Sequence, residues 1–494
     1  MAKQTTPTFT IELKLKTNEQ EESVLDKRFR IGNHIYNVMV KEAKRRLNNL
    51  LADKEYKEIM HNYHQTKKFK KGDKTKLKEI RELYGLTKYD FVNYLAKGQN
   101  QYLNNIGSPI RTNIAERVWK AVEAFLFKKG KEIQFRKLVM FKSVEAKSND
   151  AEILYRNGEI LWKGLKMKAI IKSKDIYAYD AIKNHRIKYC RIKRIWKKGK
   201  WRYYVQLALE GIPKYKINLK FKDNRKVGID MGPSSIAVVS KDKLIHQELG
   251  GNVVNIEKTI KRLNRQIDRQ RRANNPNNYN DDGTIKRDTK TFKKKWVKSK
   301  RMQKVESKRR ELYGKRSRKL KQSHEMLANK ILTECGTNIV FENMNYQGLA
   351  KKSKETEISE KTGKFKRKKR FGKSISNHAP FKFETILKLK LRYINKEPLK
   401  LKNKDIKASQ YNHLTGEYQK AELKDRWKRL DEDIIVQRDL YSAFIQMHCI
   451  DESTIDVEEC IKDFDDFKKK HDELINKLKK QKQAGKKFPA CMGI

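Results

Sequence analysis

Val227-Gly228-Ile229-Asp230-Met231-Gly232 is a short apolar run that ends in one carboxylate and is followed at once by glycine. The chain resumes as Ser235-Ile236-Ala237-Val238-Val239, a second strand-like run. A carboxylate leaving a buried strand at a tight turn is held rigidly with its oxygens outward. A divalent ion needs that of its first ligand. Taken alone, the run is equally compatible with an aspartate that merely ends a strand.

Two later stretches repeat the design. Thr337-Asn338-Ile339-Val340-Phe341-Glu342-Asn343 is a β-branched strand ending in Glu342. In Ile434-Ile435-Val436-Gln437-Arg438-Asp439-Leu440-Tyr441-Ser442-Ala443-Phe444, Asp439 opens a helix whose small Ser442 and Ala443 permit close packing. Asp230, Glu342 and Asp439 thus each stand at the edge of an apolar element. Phosphodiester cleavage by two divalent ions about 4 Å apart needs such a cluster. Mg²⁺ keeps several waters and requires few protein ligands; Mn²⁺ is able to substitute. Spacing does not prove that the three converge, and passive RNA or DNA binding is the chief competitor.

Charge narrows the choice of partner. The 494 residues carry 118 Lys+Arg against 60 Asp+Glu, a net +58, with 37% hydrophobic residues. Such a charge repels itself unless a polyanion shares the surface. The excess runs from end to end, which favours a long nucleic acid over a single basic patch. The length predicts two to four domains. No apolar run approaches the ~18–20 residues of a membrane span, and no signal peptide is read at the N-terminus. Cys190, Cys335, Cys449, Cys460 and Cys491 are scattered without a C-x-x-C pair, so the expectation is a reduced, intracellular protein without a disulfide scaffold.

In chain order, residues 8–16 alternate as a half-buried strand, with Phe9, Ile11, Leu13 and Leu15 on one face. From about residue 19, Leu25, Phe29, Gly32, Tyr36, Met39 and Ala43 mark an amphipathic helix. Residues 45–130 stay mostly helical. A further helix is expected to start near Thr112-Asn113 and to end at Lys128-Lys129-Gly130. Ile153–Tyr155 and Ile160–Trp162 flank Asn157-Gly158, a hairpin signal, and a second hairpin turns at Lys197–Lys200. A helical block therefore sits inside a β-domain. Beyond Asp230 come two long basic helices, the first with Ile256, Ile260, Leu263 and Ile267 as its stripe, the second from about Thr291 to Glu334, with Asn274–Thr284 as the tip between them. The density of Lys and Arg between Lys293 and Lys321 fits a phosphate backbone alongside. Lys351–Lys373 reads as a mobile loop. A helix at about Phe381–Asn395 and a strand at Leu399–Leu401 follow. The tail ends without clear structure after a helix near 457–482.

The order strand–Gly-Ile-Asp-x-Gly, long basic helices, strand–Glu-Asn-Met and Gln-Arg-Asp-Leu-x-x-Ala resembles the split RuvC nuclease domain, and more closely TnpB, the RNA-guided nuclease of bacterial insertion sequences and relative of type V CRISPR effectors. Ile35-Tyr36-Asn37, His324 and Lys373-Ser374-Ile375-Ser376 agree with further short signatures of that family. The resemblance spans almost the whole chain. It implies a multidomain α+β protein: a β-barrel-like wedge domain with an inserted helical recognition domain, then an RNase H-like (RuvC) α/β nuclease domain. The implied layout is 1–18 first wedge strand, 19–130 helical recognition domain, 131–220 wedge domain, 221–402 nuclease domain, 403–432 a target-nucleic-acid-binding segment, 433–450 the last nuclease motif, and 451–494 a charged tail. Asp230, Glu342 and Asp439 would be catalytic and bind two Mg²⁺. The partners would be a guide RNA and double-stranded target DNA, read by base pairing next to a short adjacent motif. A monomer is favoured over a dimer, in a prokaryotic cytoplasm. The alternatives are a compact type V CRISPR effector or a nuclease-dead RNA-guided repressor.

One departure stands out. The family carries two C-x-x-C pairs between its glutamate and its last aspartate. Here Ser409-Gln410 matches the start of the first pair, Asn412 and Thr415 hold the cysteine positions, and the second pair is absent. No structural zinc is expected, and His413 is not expected to act as a lone ligand.

Overall fold

The computed structural model describes residues 6–494 except 67, 99, 128, 129, 131, 198, 215–219, 290, 292, 293, 352–355, 357, 359–370, 403, 404, 421, 423 and 424. It divides into two compact units, Met1–Pro213 and Lys214–Ile494.

In the first unit, β1 (Thr8–Leu15) runs into helix α1 (Glu19–Ala52), capped by Asn18 and Glu21 in a reciprocal capping box. Helices α2 (Lys54–Thr66), α3 (Asp73–Leu83), α4 (Lys88–Lys97) and α5 (Ser108–Leu126) complete the helical block. Helix α5 begins four residues before the expected start at Thr112. Pro109 pre-sets the first turn, and the Glu152 carboxylate accepts the Gly107 and Ile110 amides, doing a cap's work from a distant loop. Asn113 is instead internal and donates to the Glu145 carbonyl at 2.9 Å. The expected helix end at Lys128-Lys129 lies outside the described residues.

The strands that follow are β2 (Ser143–Glu145), β3 (Ile153–Arg156), β4 (Glu159–Trp162), β5 (Leu165–Ile170), β6 (Ile187–Lys197) and β7 (Lys200–Glu210), with helix α6 (Ile176–Asn184) between β5 and β6. Among the described residues they form one antiparallel sheet in the order β2-β6-β7-β1-β5-β4-β3. Asn157 and Gly158 take positive φ (47° and 81°) in the β3–β4 turn, as an Asn-Gly hairpin requires. The sheet curls: Asn149 Oδ1 accepts from the Tyr155 amide on β3 (2.8 Å) and from Cys190 Sγ on β6 (3.2 Å), latching one edge strand to the other side. Helices and sheet share a single core that runs from Phe9 through Phe29, Ile114 and Trp162 to Leu209.

The second unit is built on the mixed sheet β10-β9-β8-β11-β12. Strands β8 (Lys226–Met231), β9 (Ser235–Ser240) and β10 (Leu244–Glu248) form an antiparallel meander, whereas β11 (Asn338–Glu342) lies parallel to β8 and β12 (Leu399–Leu401) parallel to β11. Between β10 and β11 stand α7 (Val254–Ala273) and α8 (Lys300–Lys330). Helix α8 starts later than expected, at a Ser299 cap. The segment before it is pinned in non-helical form by Asn275 and Asn278, whose side chains bond Val297 and Lys295 backbone groups. A π-turn (Ile331–Cys335) ends it. Helices α9 (Tyr346–Leu349), α10 (Gly372–His378) and α11 (Pro380–Arg392) precede β12. Most of the loop expected at Lys351–Lys373 lies outside the described residues. A small ribbon of β13 (Trp427–Arg429) and β14 (Ile435–Gln437) leads into α12 (Arg438–Met447), and α13 (Val457–Gln483) follows.

Strand alternation sorts this sheet's side chains. Val227, Ile229, Met231, Ile339 and Phe341 point to the face covered by α8 and α11. The other face, with Ala237, Val239 and Val340, packs on α12 and α13. After the last helix residues 484–487 are exposed, but Ala490–Met492 forms a short 3₁₀ turn in which Met492 is fully buried. No helix among the described residues is long and apolar enough to cross a membrane.

Candidate active site

The register of two strands decides where the acids fall. Val340 pairs with Gly228 and Phe341 with Ile229 across the parallel β8–β11 ladder. One step further sets Glu342 beside Asp230. By parity both leave the sheet on the face that α12 covers. Helix α12 can reach them because position 228 is glycine. A Cβ there would run into the Ala443 carbonyl oxygen and the Met447 amide, so helix backbone lies directly on strand backbone. The first turn of α12 then delivers Asp439. Gln437 caps it, with Oε1 accepting the Leu440 amide at 2.8 Å.

Electrostatics reports the same convergence. Burial, then the charges of Asp439 and Glu342, push the Asp230 carboxyl well above the usual carboxylate range. The Ser442 hydroxyl, donating to it from α12, and the Arg438 charge only partly oppose this. Burial likewise raises Glu342 and Asp439, the latter against Arg438, Arg426 and a Gln437 hydrogen bond. Arg438 Nη2 stands 3.7 Å from the Asp439 carboxylate. All three acids are half-buried. Three like charges therefore share one place with too little positive charge to balance them, which costs free energy unless a cation joins them.

The donor set is carboxylate oxygen, which suits hard divalent ions such as Mg²⁺ or Mn²⁺. Among the described residues no three His, Cys, Asp or Glu side chains are already arranged to hold one ion. The fit is thus one of charge and donor type.

Surrounding groups support the floor. Tyr346 on α9 donates through its hydroxyl to the Met231 carbonyl (3.3 Å), and burial and the neighbouring carboxylates Glu384, Asp230 and Glu342 raise its pKa. Ser374 donates to the Pro233 carbonyl at 3.4 Å, so the Lys373–Ser376 stretch adjoins the turn after Asp230. His324 is fully buried on α8 and bonds the His378 carbonyl through Nε2 (3.0 Å), a structural tie between α8 and α10. Asn37, in the other unit, brackets the Arg136 backbone with bonds to its amide (2.8 Å) and carbonyl (2.9 Å).

In the 403–432 segment the cysteine position Asn412 is buried, donating to the Leu430 carbonyl (2.9 Å) and accepting the Leu414 amide (3.1 Å). His413 Nδ1 lies 2.8 Å from Tyr441 Oη, and its amide donates to the same oxygen. The Lys428 ammonium donates to the Tyr411 carbonyl at 2.6 Å, and burial pushes its pKa down to about 8.

Sequence reasoning singled out the three acids and the small residues on α12. It missed Gly228 as the contact point and Gln437 as the cap, although both lie in the short runs that carry Asp230 and Asp439. Tyr346 carried no signal, because its partner, the Met231 carbonyl, lies 115 residues away in sequence.

No protein-family model matches the chain, and no curated protein matches it. Solved structures that match the chain include two Cas12f complexes. The cryo-EM structure of the Cas12f1-sgRNA-target DNA complex superposes with a TM-score of 0.43 at 13% identity, covering 89% of this chain and 98% of that chain. The cryo-EM structure of the CRISPR-Cas12f ternary complex gives a TM-score of 0.29 at 12% identity, covering 90% and 100%. Neither superposition is close enough to carry a functional argument.

Proposed function

We propose that the chain is an RNA-guided DNA endonuclease of the TnpB type, with an RNase H-like (RuvC) nuclease domain in its second unit. The observation that carries the reading is the like-charged cluster of Asp230, Glu342 and Asp439, held on one sheet face by register and by the Gly228–Ala443 contact. A chain of net +58 that concentrates three half-buried acids at one point keeps that negative charge for a purpose other than binding polyanions. When bound, two Mg²⁺ ions would supply an activated water and stabilise the leaving 3′ oxygen. Asp230, Glu342 and Asp439 would hold them, Gln437 would fix the Asp439 turn, and Ser442 would orient the Asp230 carboxylate. The basic faces of α7 and α8, and the helical block with its curled sheet, would carry guide RNA and target DNA by backbone contacts, leaving sequence to base pairing.

The test is to purify the protein with its copurifying RNA, sequence that RNA, and challenge the complex with a plasmid library bearing its complement beside randomised flanks. Mg²⁺-dependent cutting next to one flank is expected, abolished in Asp230→Ala. Binding without cutting would leave the guided repressor; cutting by Asp230→Ala would remove Asp230 from the site.

A further inference from the structure

The short turn at residues 490–494 touches the turn that follows Asp230 and the cap that precedes Asp439. On one side, Cys491 Sγ lies 3.1 Å from Ser234 Oγ and 3.4 Å from Ser235 Oγ, in the turn that follows Asp230. On the other, Gln437 Nε2 donates to the Met492 carbonyl (3.3 Å) while its Oε1 caps the helix that starts Asp439. Trp427 Nε1 donates to the Gly493 carbonyl at 3.1 Å, and Lys482 Nζ to the Ile494 oxygen at 2.6 Å. Met492 is fully buried, so the turn is anchored by apolar packing as well as by these bonds. The two turns it touches come from positions more than 200 residues apart in sequence. The bond from Gln437 is made by the same side chain that orders the first turn of the Asp439 helix.

We infer that residues 490–494 are a positioning clamp: they hold the Ser234–Ser235 turn and the Gln437 cap in one arrangement, and so fix the separation of Asp230 and Asp439. The inference rests on the catalytic reading above. In this arrangement Met492 and Cys491 act through their contacts with Gln437 and Ser234. A displacement of about 1 Å between groups that must act together costs on the order of a hundredfold in rate.

Cys491 provides a handle that needs no truncation, because it is half-exposed while Cys190, Cys335, Cys449 and Cys460 are buried. Alkylating the folded ribonucleoprotein with N-ethylmaleimide places a bulky group between Cys491 and Ser234. Expected are a fall in cleavage rate of at least about tenfold, a higher Mn²⁺ concentration for half-maximal rate, faster hydrogen exchange at the Leu440 amide in ion-free protein, and unchanged RNA retention. Cys491→Ser should cut normally and resist the reagent. Met492→Ala should reproduce the rate loss and the faster Leu440 exchange, and Met492→Leu should restore both. Unchanged cutting and unchanged Leu440 exchange in the alkylated protein would overturn the clamp, as would a Met492→Ala variant with normal rate and normal Mn²⁺ dependence. Asp230→Ala, run alongside, separates the two ideas: if it still cuts, the catalytic reading fails; if it is dead while alkylated protein cuts normally, only the clamp fails.

Discussion

A methyl group on Gly228 would meet the Ala443 carbonyl and the Met447 amide, neither of which can step aside without moving α12. Gly228→Ala is therefore expected to destabilise the second unit by about 1–3 kcal/mol or more and to lower cleavage beyond what the unfolded fraction explains. Denaturant midpoints and rates measured on the same sample check both. Asp230→Asn should act in the opposite direction on stability. It removes one of three crowded charges while keeping the shape, so ion-free protein should gain about 1–2 kcal/mol as cleavage is lost. A calorimetric scan in chelator, with and without added Mg²⁺, reads this: the ion should raise the melting temperature of wild type more than that of the variant. At this scale the sequence spoke clearly where an acid ended an apolar run. Gly228 was silent because a glycine's meaning depends on what approaches it, and α12 lies more than 200 residues further on.

The Tyr411–Tyr418 bridge closes a short turn that carries Asn412 and Thr415. Asn412, the Lys428 ammonium and the His413–Tyr441 pair tie its backbone to β13 and α12. A zinc-selective chelator should leave its melting unchanged, whereas Asn412→Ala, which strands a carbonyl and an amide, should cost about 1–3 kcal/mol. Strand β10 carries a further cost. His246 is buried with no hydrogen-bond partner for either ring nitrogen among the described residues, and burial lowers its pKa to about 4. The folded form stays neutral while the unfolded chain takes up a proton below its usual 6.5. Stability that is complete above pH 6.5 is therefore lost as the pH falls toward 4, by about 2–3 kcal/mol at pH 4.5. His246→Leu should flatten that dependence, as seen by comparing urea midpoints at pH 7 and 4.5. Elements with strong periodicity, such as β1 and α1, were legible from residue order alone. The starts of α5 and α8 were not, because Glu152 and the asparagines 275 and 278 set them through contacts across loops.

Across the molecule, net +58 makes salt the dominant variable. Affinity for RNA is expected to fall by about a thousandfold or more between 50 and 200 mM salt, with a linear log–log slope; filter binding across that range checks it, and a flat slope would contradict a backbone-tracking surface. The succession of strand, helical block, strands and second unit could be read along the sequence. The curling of the first sheet could not, since it involves contacts such as those of Asn149 with Tyr155 and Cys190, two residues far apart in sequence. The place of β1 in that sheet has a further consequence. The strand at residues 8–15 is made before the other strands of its sheet, yet it lies at the centre between β5 and β7, with Thr8 opposite Glu210. On the ribosome it must wait, unpaired and half apolar, until β5 (Leu165–Ile170) emerges, and its other edge stays open until β7 (Lys200–Glu210) is made. The sheet is complete only when β1 has been paired on both sides, by β5 and then by β7. Folding of this unit is thus bound to be slow and late, and synthesis arrested before β7 leaves an open edge that invites aggregation.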